Sequence, residues 1–247
     1  MTQLKCPECG KEFDDTKQVC PDCGCPINLM ASVIYEKQSK LQLKMVSLAL
    51  PIGILAILMA TITIAETIMI KCRINGFSIN GSFEKGFNLA NDIVLPLLLL
   101  LALLWFVLLL KGSVKNTSMR SIAITAIIGS VGWLLASLLV TTNTVLIREF
   151  SITIAVTSVY ISWISKILLS ISFIAICVYF SKGMKAYSLM TGGALLINVF
   201  VRIMEFFPNV FGSEGNLALI YLDYCTTSLY YLSIALFFFG FNKTIKS

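Results

Sequence analysis

Cys6, Cys9, Cys20 and Cys23 fall in the spacing C-x2-C-x10-C-x2-C within "CPECGKEFDDTKQVCPDCGCPI", residues 6–27. Four thiolates delivered as two close pairs suit one tetrahedral zinc ion, each C-x2-C turn supplying two sulfurs. The turn chemistry is the same twice. Pro7 and Pro21 preset the dihedral after the first cysteine of each pair, and Gly10 and Gly24 can take the positive φ that lets the chain leave the turn. Iron suits the same four thiolates. Cys25 is a fifth thiol that can stand in for Cys23, although the repeated C-P-x-C-G pattern favours Cys23. A site closed by four sulfurs keeps no position open for a substrate, so its ion is structural.

On "CPECG" and "CPDCG" the stretch resembles the short zinc-ribbon domains at the N-termini of bacterial membrane proteins. The resemblance covers about residues 4–28. It implies a small four-cysteine zinc ribbon of β-hairpin knuckles with Cys6, Cys9, Cys20 and Cys23 as ligands. Residues 1–30 hold three Lys against five Asp and Glu, and a zinc tetrathiolate adds roughly two negative charges. That balance repels phosphate, so no nucleic-acid partner is expected. A docking or purely structural module fits better.

A second set of residues stands out because its surroundings are apolar. Glu66, Lys166, Arg202, Glu205 and Asp223 interrupt long hydrophobic runs, and ionisable groups at such places mark polar pathways or structural pairs. They form a candidate intramembrane polar site, with Tyr221, Tyr224, Thr226 and Thr227 close to Asp223 in sequence. Snorkelling to the interface, or a local i, i+3 pair of Arg202 with Glu205, accounts for the same residues without a ligand.

The elements that must position these residues are membrane helices. Of 247 residues 57% are hydrophobic and 13% charged, with a mean hydropathy of +0.86. Runs such as "IVLPLLLLLALLWFVLLL" reach the roughly 18–20 apolar residues that cross a bilayer. Spans are predicted over 46–70, 93–110, 121–140, 160–180, 187–206 and 217–240, giving an all-α membrane protein of about six transmembrane helices. The four segments are a ribbon at 1–30, a juxtamembrane linker at 31–45, the six-helix domain at 46–242 and a tail at 243–247. No cleavable leader is expected from the polar start. Pro51 and Pro96 are placed in first turns, where a missing donor costs least. Gly129, Ser130 and Gly132, with Gly192, Gly193 and Ala194, are placed at close helix crossings. Loop 71–92 is expected to hold two Asn-Gly hairpin turns, and 141–159 to lie in the interface or to lengthen the fourth span.

Lysine and arginine fix the orientation. With a cytoplasmic N-terminus, ten of them flank the inner ends of the spans, from Lys37 to Lys246. Only Lys71, Arg73, Lys85 and Arg148 lie outside. Both termini are therefore expected in the cytoplasm of a bacterial plasma membrane, where structural disulfides are disfavoured.

The chain has no histidine and no G-x-x-x-x-G-K-[ST] loop, which removes Ser-His-Asp catalysis, H-E-x-x-H proteases and P-loop chemistry. The expected protein is not an enzyme. It is a multi-pass membrane protein whose cytoplasmic zinc ribbon docks a protein partner or a second copy. A small transporter with an outward-facing polar site is the alternative, and a metal or redox sensor a weaker one.

Overall fold

The computed structural model describes residues 3–5, 9, 11–14, 19–24, 27–77, 81–113, 116–145, 152–179, 182–205 and 212–246. Two short strands, β1 (Gln3–Lys5) and β2 (Glu12–Asp14), pair antiparallel with Leu4 opposite Phe13. Six helices follow: α1 (Ile27–Ile74), α2 (Gly81–Gly112), α3 (Thr117–Val145), α4 (Ile152–Ile176), α5 (Lys182–Glu205) and α6 (Gly212–Lys246). A single 3-10 turn, Cys177–Tyr179, extends α4. The chain divides into two compact units, Met1–Lys44 and Met45–Ser247.

All six helices contain a segment long and apolar enough to cross a membrane, the make-up of a multi-pass membrane protein. Their outward faces agree. Phe200 and Ile164 are 63% and 60% exposed, a liability in water and ordinary against lipid.

Several helices outrun the spans read from hydropathy. The fourth begins at Ile152, eight residues before the expected start at 160, because Thr153–Tyr160 continues the helix beyond the most apolar stretch. Most of the loop expected at 71–92 is helical, in α1 to Ile74 and in α2 from Gly81. Asn75-Gly76 is not a hairpin turn but the end of α1. Gly76 takes φ +83°, its N–H bonds to the Arg73 carbonyl at 3.1 Å, and the Phe77 N–H reaches the Cys72 carbonyl at 3.0 Å. This crossed pair satisfies the last carbonyls of the helix, and glycine alone takes that φ without cost. Asn80 lies outside the described residues, and Gly81 opens α2. Pro51 and Pro96 likewise sit inside α1 and α2, not in their first turns. The helices start well before the lipid-crossing stretch does, and each proline forfeits one intrahelical hydrogen bond. Asn116 caps α3 by accepting from the Met119 N–H at 3.0 Å, the usual service of Asn at that position.

Within lipid no hydrophobic force drives one helix against another, so close approach must supply the contact energy. A Cβ on Gly129 of α3 would stand 2.9 Å from the Ser165 carbonyl of α4, and one on Gly132 would collide with the Ser165 side chain. Gly192 brings α5 equally close to α4: the Ser170 hydroxyl donates to its carbonyl at 2.5 Å. Gly193, by contrast, faces open space. Trp105 of α2 is fully buried and meets Phe237, Phe238 and Phe241 of α6 edge-to-face, with centroids 5.9, 5.3 and 5.1 Å away. Such pairs add about 0.5–1.5 kcal/mol each beyond area burial. Phe173 of α4 joins them through Phe237 at 5.1 Å. This aromatic cluster fills the half of the bundle toward the α2–α3 and α4–α5 connections. The polar residues collect in the other half.

Candidate functional site

Two chemically distinct sites emerge, one in each compact unit. In the first, Cys9, Cys20 and Cys23 bring their sulfurs within 4.8 Å of one another. Cys6 and Cys25 lie outside the described residues. The Cys9 and Cys20 sulfurs are 3.7 Å apart. Two sulfurs on one tetrahedral zinc at about 2.3 Å would stand about 3.8 Å apart, whereas a disulfide needs about 2.05 Å. The donor set therefore fits a thiolate-bound metal. The turn that presents it is built as the sequence asks. Gly24 takes φ +72° and its N–H returns to the Cys20 carbonyl at 2.9 Å. Cys20 is buried at 1% exposure, and Lys11 ties the segments together through Asp22 at 2.8 Å. That contact raises the Lys11 ammonium above its ordinary pKa, the hydrogen bond to Asp22 first and the charge of Asp22 second.

The second site is a cleft in the helical unit, in the half nearest the α1–α2, α3–α4 and α5–α6 connections. Its centre is a chain of four polar side chains on three helices. The Lys166 ammonium of α4 donates to Asn198 Oδ1 of α5 at 2.9 Å. Asn198 Nδ2 donates to Asp223 Oδ1 of α6 at 3.1 Å and to the Thr227 hydroxyl at 2.9 Å. Arg202, one turn beyond Asn198 on α5, closes the chain with Nε 2.6 Å from the same Asp223 oxygen. Lys166 keeps 6% exposure, Asp223 2% and Asn198 none.

Helical spacing explains the convergence. Asn198, Arg202 and Glu205 recur at i, i+4 and i+7 on α5, and Asp223, Thr226, Thr227 and Tyr230 at i, i+3, i+4 and i+7 on α6. Lys166 Nζ also stands 5.2 Å over the Trp133 ring of α3 and 5.2 Å over the Tyr230 ring, a favourable seat for a cation with little water around it.

Above this chain the cleft has two lobes. One, of about 470 Å³, is completed by Thr63 and Glu66 of α1 and Asn88 of α2. The other, of about 580 Å³, reaches Val140, Trp163 and Glu205. Asn91, Trp133, Lys166 and Arg202 line both. The five ionisable residues singled out from sequence thus lie in or directly behind one cleft. Arg202 pairs with Asp223 on the neighbouring helix and not, among the described residues, at ion-pair distance with Glu205 on its own. Tyr221 is not in the lining, whereas Tyr224 is.

Sequence reasoning missed Asn198, the residue that joins the rest. It carries no charge and sits in the run "GGALLINVFV". Its only signal is its i, i+4 relation to Arg202. Trp133 and Asn91 were missed for the same reason, as residue types that bundle interiors and helix ends tolerate.

Comparison with known protein families, with curated proteins and with solved structures finds no match to this chain. The class defined by fold and composition is a six-helix membrane protein, with a cysteine cluster competent to hold a metal in its N-terminal unit.

Proposed function

We propose that this is a non-enzymatic membrane protein that binds a small solute within its helical bundle and exchanges it with one side of the membrane, as a transporter does. The observation that carries this reading is the Lys166–Asn198–Asp223–Arg202 chain at the base of a cleft to which all six helices contribute. Burying two cations and a carboxylate among lipid-facing helices is costly, and such groups are kept where they face a water-filled path. The aromatic cluster packs the opposite half of the bundle, so the polar groups collect at one end. The lysine and arginine count supports an orientation with this end outside and both termini in the cytoplasm.

The N-terminal unit is proposed to hold one zinc ion through Cys6, Cys9, Cys20 and Cys23. With four sulfurs it serves as a structural knob for a cytoplasmic protein partner or a second copy. The zinc contributes folding energy to a segment too short to build a core. Affinity purification with and without residues 1–30 tests the docking role: a partner lost with the ribbon supports it, and identical preparations remove it.

The solute reading is tested by thiol accessibility, in a background where Cys72, Cys177 and Cys225 are serine. Methanethiosulfonates react with the thiolate, which forms only in water. Asn91→Cys, in both lobes, is expected to react with a membrane-impermeant cationic reagent added to intact cells. Leu229→Cys, on a 48% exposed outward face, is expected not to. Equal silence at both positions, from either side of the membrane, would remove the solute reading.

A further inference from the structure

The cleft carries charges of both signs. Its two lobes are lined by Glu66, Arg73, Asp92, Lys166, Arg202 and Glu205, with Asp223 behind Arg202. Four carboxylates thus stand against three cations, and Arg73 and Asp92 have further interactions of their own. The balance lies within one charge of zero, so nothing in it asks for a ligand of high net charge. The second lobe mixes its apolar residues with Asp92, Ser137, Ser158, Ser162 and Glu205, which leaves no continuous apolar wall for a long tail.

What remains unmet is local. The Lys166 ammonium, 6% exposed, has no carboxylate at ion-pair distance among the described residues, and its one hydrogen-bond acceptor there is Asn198 Oδ1 at 2.9 Å. A buried ammonium without a counter-charge is costly. Arg202 approaches Asp223 by Nε at 2.6 Å, and a guanidinium so placed keeps terminal N–H donors for a second acceptor. Glu66 of α1 is a half-buried carboxylate that makes neither a hydrogen bond nor an ion pair among the described residues. All three line the first lobe. One cavity of about 470 Å³ therefore presents unlike charges from α1, α4 and α5, with Glu66 at ion-pair distance from neither cation. That volume lies in the range of small-molecule sites.

Resting on the solute-binding reading above, we propose that the first lobe takes a compact zwitterion, a molecule with a carboxylate and an ammonium on a short frame, such as an amino acid. The carboxylate accepts from Lys166 and Arg202, and the ammonium donates to Glu66. One ligand of zero net charge then meets three charged side chains. A simple anion would leave Glu66 unmet, and a simple cation would leave Lys166 unmet. The headgroup of phosphatidylethanolamine offers the same pair of charges, with phosphate in place of carboxylate.

The test uses the full-length protein, purified in a neutral detergent and stripped of lipid. Thermal unfolding is followed against glycine, L-leucine, β-alanine and γ-aminobutyrate. Each is compared with its deaminated and decarboxylated counterparts, which carry one of its two charges apiece. At least one zwitterion is expected to raise the melting temperature at concentrations at least tenfold below those at which either counterpart acts. Native mass spectrometry then compares retention of phosphatidylethanolamine and phosphatidylglycerol with matched acyl chains. A response to a free zwitterion assigns the site to a solute. Preferential retention of phosphatidylethanolamine without such a response assigns it to a lipid headgroup. A counterpart that acts as well as its zwitterion overturns the proposal, as does silence toward probes and lipids alike.

Glu66→Gln removes the partner of the ammonium alone. Affinity for the zwitterion is expected to fall at least tenfold, while that for its deaminated counterpart is unchanged or higher. Lys166→Gln is expected to weaken the zwitterion and the deaminated counterpart and to spare the decarboxylated one. Equal weakening of all three probes in both variants overturns the assignment of these residues. The comparison of probes on the wild-type protein needs no variant and stands if a variant fails to fold. If no zwitterion is preferred and Asn91→Cys still reacts with the thiol reagent, a solute cleft of another specificity survives. A cleft silent to both removes the two readings together.

Discussion

Among the described residues, Lys166 and Asp223 are the two most deeply buried charges of the helical bundle, and they connect through Asn198, which accepts from the first at 2.9 Å and donates to the second at 3.1 Å. A neutral amide between opposite charges lets each keep a further partner. Asp223 has Arg202 at 2.6 Å, and Lys166 lines the cleft.

Asn198→Leu is therefore expected to be more harmful than a charge removal at the rim. It strips the acceptor from Lys166 and a donor from Asp223, Thr226 and Thr227 at once. Each buried polar group left without a partner costs about 1–3 kcal/mol. A loss of about 2–5 kcal/mol, read as a drop in melting temperature in detergent, is expected. Glu205→Gln, at the rim of the second lobe, is expected to change stability by less than about 0.5 kcal/mol.

Arg202 and Asp223 form a pair of which one member is exposed. The Arg202 side chain retains 43% of its surface and that of Asp223 only 3%. Removing the arginine strands a buried carboxylate, whereas removing the carboxylate leaves an arginine that water can reach. Arg202→Met is thus expected to destabilise more than Asp223→Asn. In a double-mutant cycle the coupling energy is expected between about 0.5 and 3 kcal/mol. Equal single-mutant losses with no coupling would mean that the contact contributes nothing.

The crossing of α3 and α4 separates a glycine that is required from a serine that is not. Gly129→Val would press its side chain into the Ser165 carbonyl, which a hypothetical Cβ already approaches to 2.9 Å. Forcing two packed helices apart costs about 1–3 kcal/mol. Ser130, its immediate neighbour, buries a hydroxyl with no hydrogen-bond partner. Ser130→Ala is expected to leave the melting temperature unchanged or to raise it slightly.

Much of this architecture was legible in sequence, for a definite reason. Apolar runs must be long enough to cross lipid, so the six segments from Leu41 to Lys243 declare themselves by length. Their ends do not. A helix continues into water as long as its backbone bonds within itself, and the polar run from Gly81 to Asp92 is helical although it reads as a loop. Asn75-Gly76 shows the same limit, since the dipeptide that favours a hairpin also ends a helix. Lys166, Arg202 and Asp223 stood out as charges in apolar surroundings. Their meeting depends on how each helix is rotated about its axis, which a single sequence with weak amphipathicity does not record.

The cysteine cluster carries the last prediction. Three sulfurs within 4.8 Å, with Cys20 at 1% exposure, are expected to hold a thiolate-bound metal together with Cys6. Cobalt(II) added to the apo protein should then give the intense visible bands of a tetrahedral thiolate complex and the charge-transfer absorption of cobalt–sulfur bonds. Zinc should displace it at one equivalent per chain, since four-sulfur sites favour zinc over cobalt. Cys20→Ser is expected to weaken binding at least a hundredfold and to shift the bands toward those of an oxygen-containing set. Because the residues Met1–Lys44 form a compact unit of their own, the same substitution is expected to leave the main melting transition of the helical bundle in place. Octahedral cobalt spectra, or a stoichiometry well below one, would show that the sulfurs do not converge on an ion.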